Sequence, residues 1–128
     1  MGYIVTIRDK AGVGPHFERE EIGSVELNIL QARVDGLIEA MFTIPSPSGV
    51  RNHSITGYVN EEGLLIGLPV WGAVDDEHGV RPFAGDMVVC GLNERTGDSR
   101  LLTSDEVDWL EARWHTYGVL DLNTGSDD

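Results

Sequence analysis

Residues 58–71 read YVNEEGLLIGLPVW, and the way this stretch folds decides how the rest of the chain can be arranged. It follows SITG, so the β-branched and aromatic run 54–59 is a strand in which alternate residues suit opposite faces. LLIGL (64–68) is a second apolar run, and Asn60-Glu61-Glu62-Gly63 separates the two. The spacing predicts a hairpin in which a type I turn is followed by Gly63 at positive φ. Pro69, which has no N–H to donate, then ends the ladder.

Working outward, YIVTI (3–7) predicts a first strand and residues 9–21 a loop of Gly, Pro and charge. Ser24 is placed to cap a helix over 25–34, closed by Asp35 and a left-handed Gly36. In LIEAMFTI (37–44), Ile38, Ala40, Phe42 and Ile44 alternate as one face of a half-buried strand. PSPSG (45–49) is a turn, and residues 72–85 read as a second loop. DMVVCGL (86–92) is apolar on both faces, as a central strand covered on both sides would be. Thr103 and Glu106 form a capping box for a helix reaching about residue 115, with Val107, Leu110 and Trp114 as its apolar stripe. The expectation is a single α+β domain over 1–120: a mostly antiparallel or mixed sheet of four to six strands carrying two helices (24–34 and 103–115). Residues 121–128 are expected to be a frayed acidic tail.

A chain of 128 residues with 41% apolar content holds one modest core. No apolar run is long enough to span a membrane, and no basic region precedes an apolar stretch as in a signal peptide. The single cysteine, Cys90, leaves no internal disulfide and points to a reducing, cytoplasmic setting. The formal charge is −13, and it is unevenly spread. Residues 1–60 hold seven acids and five bases, whereas 61–128 hold fifteen acids and four bases. Such a field repels a nucleic-acid backbone, which a binder must neutralise with clustered Lys and Arg. It attracts a basic protein partner instead.

The segments around Leu30-Gln31, Ile38-Glu39, NEEGLLIGLP (60–69), AGDMVVCG (84–91) and TSDEVDWL (103–110) together resemble a family of small uncharacterised domains. Its members are found in bacteria, plasmids and phages and are catalogued as a domain of unknown function. The resemblance spans residues 30–110. It implies an accessory protein of bacteria or mobile elements, and it supplies no catalytic residues.

Enzyme chemistry finds little purchase. Cys90 sits in the most apolar strand, the setting of an inert core thiol. No G-x-S-x-G elbow, G-x-G-x-x-G or P-loop motif occurs, and the only lysine is Lys10. Two acid–histidine groups, Asp108/Glu111/His115 and Asp75/Asp76/Glu77/His78, could be weighed for a divalent ion, but neither follows the usual ligand spacing. No catalytic residue, metal or cofactor is therefore assigned.

The stretch 71–83, WGAVDDEHGVRPF, combines interface-type anchors with charge. Trp71, Asp75, Asp76, His78, Arg81 and Phe83 are the candidate binding residues there, although Trp71 and Phe83 equally suit core caps. Tyr58 and Arg51 complete the set: Tyr58, Trp71 and Phe83 could stack a base while Arg51, Arg81 or His53 meets phosphate. Trp109, beside Glu106 and Arg113, suits a homo-oligomer contact.

Three readings follow in order. The first is a non-catalytic phage or mobile-element inhibitor, a counter-defence protein that engages a basic host protein surface. The second is a homo-oligomer that sequesters a nucleotide signal. The third, distant, is a metal-dependent enzyme. Direct nucleic-acid and membrane binding are not expected.

Overall fold

The computed structural model describes residues 2–123 and has an α+β architecture with two helices and ten strands among them. The expected sheet is in fact two. β1 (Gly2–Lys10), β2 (Gly14–Ile22), β3 (Ile38–Pro45), β4 (His53–Asn60), β7 (Met87–Asn93) and β8 (Asp98–Arg100) form the larger, in the order β2-β1-β7-β4-β3. On one edge, β7 pairs with β1 through residues 87–89 and with β8 through residues 91–93. The smaller sheet has the order β6-β5-β10-β9, from β5 (Val70–Asp76), β6 (Gly79–Ala84), β9 (Trp114–His115) and β10 (Val119–Asp121). β10 lies parallel to β5, and every other pairing is antiparallel.

The larger sheet buries both faces, and its central strand shows how. Along β7, Met87 and Val89 point into the main core while Val88 and Cys90 point to the other side. The main core is closed by the smaller sheet and α2 (Ser104–Ala112), which brings in Val107 and Leu110. The second core is closed by α1 (Leu27–Val34) through Leu30 and Val34. This two-sided burial is why the strand is apolar from Met87 to Cys90.

Several local expectations are corrected. Residues 14–22 are not loop but the edge strand β2, joined to β1 by a three-residue turn with Gly12 at φ 80°. Its charges hid it: Glu18 meets Arg8 at 3.6 Å and Lys10 at 3.2 Å across the pair, and edge strands tolerate such polarity. Residues 72–85 are likewise the β5–β6 hairpin, turning at Glu77 and His78 with Gly79 at φ 93°. The buried alternation there, Gly72, Val74, Asp76, is not written in apolar residues alone.

The hairpin expected at 54–68 does not form. β4 is already paired on both edges, with β3 and with β7, so LLIGL has no edge to join. The Asn60 side chain accepts from Glu62 N–H at 2.8 Å and turns the chain, and Ile66 N–H bonds Glu62 O at 3.0 Å in a compact coil. The left-handed glycine is Gly67 at φ 80°, not Gly63.

Both helices are shorter than expected. Ser24 caps nothing: α1 is preceded by an extended Glu26 that makes no side-chain cap bond, and it ends on Asp35 at φ 60° rather than on Gly36. α2 keeps its capping box but stops at Ala112, leaving Trp114 and His115 to β9. A bulge between Ala40 and Phe42 also breaks the expected single face of β3. Ile38 packs with the α1 core, whereas Phe42 and Ile44 pack into the main one. Of the expected frayed tail, Asp121 ends β10 and Leu122 is buried, its N–H bonded to Asp75 O at 2.7 Å. Residues 124–128 lie outside the described residues.

Candidate functional site

A groove of about 860 Å³ lies between the outer strand of one sheet and the hairpin of the other. Residues 41–45 and Pro47 form one wall. Asp76, Glu77, His78 and Arg81 form the opposite lip, and Trp109, Leu122 and Asn123 complete the lining. Each part is placed by a local cause. The bulge sets Met41 beside Phe42. The β5–β6 turn carries the charged lip, because Asp76 Oδ1 accepts from His78 N–H at 2.9 Å. Trp109 stands on α2 with one ring face covered by Arg113, whose Cζ is 4.2 Å from the ring centroid.

The lip's charges are partly spent internally. Arg81 Nη2 donates to Asp76 Oδ2 at 2.5 Å. Burial of Asp76 works against its charged form, but the Arg81 bond and the His78 amide outweigh it and hold the carboxyl below its ordinary range. Glu77 is left outside this pair, strongly exposed, with His78 Nε2 at 3.5 Å.

The remaining sequence candidates do not converge here. Phe83 is buried in the main core, edge-on to Trp71 at 5.3 Å between centroids. Trp71 donates Nε1–H to Gly85 O at 2.8 Å, so the pair caps the core. Tyr58 packs on the opposite side, with the α1 core, and Arg51 is exposed in the turn before β4. The base-stacking arrangement of Tyr58, Trp71 and Phe83 is therefore not assembled. Asp75 is held by Asn123 Nδ2 at 2.9 Å. Trp109 is half-buried against the main core rather than freely exposed.

The acid–histidine groups are similarly dispersed. Arg19 Nη2 bonds both Asp108, at 3.0 Å, and Glu111, at 2.7 Å, and His115 lies beyond the helix. No cluster of three or more His, Cys, Asp or Glu is placed to hold a metal among the described residues. Cys90 is fully buried, and burial pushes its thiol up to about 11. No helix among the described residues is long and apolar enough to cross a membrane.

Two features escaped sequence reading. The groove gathers Met41, Ile44, Pro47, Trp109 and Leu122 from segments read as strand face, turn, helix and tail, and no local pattern joins them. The other is the coil after β4, where Leu64, Leu65 and Ile66 stand 76%, 86% and 58% exposed. The same coil leads through Leu68 and Pro69 to a smaller concavity of about 280 Å³, whose lining includes Asp9, Asp35, Asp86 and Trp71. Asp86 is partly buried, and that burial raises its pKa despite the nearby Arg8.

These features define a two-sheet α+β domain with one apolar groove and one exposed apolar tip beside an acidic hollow. The chain belongs to the family described as Domain of unknown function (DUF3846), whose model matches residues 9–115. No curated protein and no solved structure matches it.

Proposed function

We propose that this protein is a non-catalytic accessory protein that acts by binding, as an acidic inhibitor that engages a basic surface of another protein. The observation that carries the reading is the apolar run Leu64, Leu65, Ile66, which stands in solvent and leads into the hollow bearing Asp9, Asp35 and Asp86. Three successive large apolar side chains left exposed are costly to solubility unless a partner covers them. The carboxylates beside them select for Lys or Arg around the partner's apolar patch, and the chain's charge of −13 would steer such a partner in. A phage or mobile-element protein working against a host factor in the host cytoplasm fits this chemistry.

Sequestration of a nucleotide is less well supported. The aromatic residues that would stack a base are apart, and Arg81 is already neutralised by Asp76. Capture from host lysate, followed by binding measurements on the captured protein, tests the first reading. Affinity is expected to fall steeply from about 0.1 to about 1 M salt, as the screening length drops from about 10 to about 3 Å. It is also expected to fall about tenfold or more in Leu65→Ser and in Asp9→Lys. Salt-independent capture, or capture by both variants as strong as by the parent, would reject the reading.

A further inference from the structure

The groove between the two sheets has a property that the exposed tip lacks: a strand edge. Five successive residues, 41–45, line it, whereas the side chains of a regular strand alternate between faces. A run of neighbours can line one space when that space follows the strand's edge, where main chain is presented. β3 is the outermost strand of its sheet, paired only with β4 among the described residues, so its far edge is unpaired there while residues 41–45 line this space. Thr43, in the middle of this run, is exposed, and its hydroxyl is engaged with Thr56 Oγ1 at 3.1 Å.

We propose that the groove receives an extended peptide segment of a partner protein, which adds as a strand to β3 and carries apolar residues alternating with basic ones. Main-chain hydrogen bonds to the edge would supply register, as in strand addition generally. Alternate side chains would drop against Met41, Ile44, Pro47, Trp109 and Leu122, an apolar wall that a polar segment could not fill. The sign of the charge follows from the lip. Arg81 is paired with Asp76, so the unspent charge is Glu77, and exposed Asp105 stands one helical turn from Trp109. About five residues is the length that matches 41–45, at about 3.4 Å per residue.

The test titrates the isotope-labelled full chain with acetyl-KVTVKVTVK-amide and with its acidic counterpart acetyl-EVTVEVTVE-amide, reading backbone amide shifts. Saturable shifts are expected at residues 41–45, 76–78 and 109 with the basic peptide. Affinity for it should fall about fivefold or more in Glu77→Lys, an exposed position that leaves the fold intact, and in Trp109→Ala. Leu65→Ser should leave it unchanged, which separates this site from the tip invoked for inhibitor binding. No shifts with the basic peptide, or equal affinity for the acidic one, would overturn the proposal. So would groove shifts with a free mononucleotide alone. Self-association abolished by Met41→Glu would assign the groove to a second copy and overturn it equally.

Discussion

Arg100 grips Glu106 with both arms of its guanidinium: Nη1 stands 2.9 Å from Oε1 and Nη2 stands 2.6 Å from Oε2, on a side chain only 1% exposed. Ser46 Oγ donates to the same carboxylate at 2.6 Å and Thr103 N–H at 2.9 Å. The turn after β3, the end of β8 and the start of α2 are thus tied to one buried charge. Removing either partner would leave the other uncompensated.

This pair makes the protein acid-sensitive in a defined window. Burial disfavours the Glu106 carboxylate, but Arg100, Ser46 and Thr103 outweigh it and hold the pKa at about 2 against an ordinary 4.5. A depressed carboxyl pKa contributes stability that is complete above about 4.5 and is lost as the pH falls toward 2. At about 1.4 kcal/mol per unit, the contribution is about 3 kcal/mol. Urea unfolding followed from pH 6 to 2 should show that decline. Glu106→Gln should be less stable at neutral pH yet flatter with acid, keeping a small slope from Asp76.

Gly57 of β4 has room for no side chain, because a Cβ there would run into the Phe42 ring. Gly57→Ala is expected to cost about 1–3 kcal/mol by overpacking. Adding Phe42→Leu should restore part of that loss, so the double variant would be less destabilised than the sum of the singles. Denaturant midpoints of the four proteins measure the coupling; strict additivity would contradict it.

Only one of the two serine/threonine positions before the helices matters to helix stability. Thr103 Oγ1 accepts from Glu106 N–H at 3.1 Å, so Thr103→Ala should cost about 1 kcal/mol. Ser24 makes no cap, and Ser24→Ala should stay within about 0.5 kcal/mol of the parent in the same thermal melts.

Cys90 should be inert while the chain is folded. Its thiol is fully buried and its pKa is raised to about 11. Iodoacetamide labelling at pH 8 is therefore expected to follow the unfolding equilibrium, accelerating with urea, rather than proceed at the rate of a free thiol. Rapid native labelling would show that β7 opens locally.

Legibility in the sequence followed the apolar pattern and failed where another rule placed the residues. DMVVCGL announced a strand buried on both sides because four successive positions, Met87 to Cys90, carry apolar side chains. TSDE announced its helix because a capping box is local chemistry. β2 was hidden because its position at an edge is filled by Arg and Glu, and that position depends on the register with β1. LLIGL carried strand-like residues yet found both edges of β4 occupied, a fact of topology that no window of fourteen residues contains. Asp76, His78 and Arg81 were read as one candidate group and do share the groove lip. Their apolar counterparts across the groove come from distant segments and from a one-residue bulge, which periodicity misassigns by a face.

The pairing of β7 bears on the order in which the molecule assembles. The β1–β2 and β3–β4 hairpins are each closed by short connections, but among the described residues no strand of one pairs with a strand of the other. Both pair with β7, whose residues 87–93 slot between them. That long-range insertion is expected to be the slow step of folding, because loop-closure entropy must be met before its contacts form. Substitutions in either hairpin turn, formed before that step, should therefore retard refolding more than they hasten unfolding, while those in β7 should divide between the two rates.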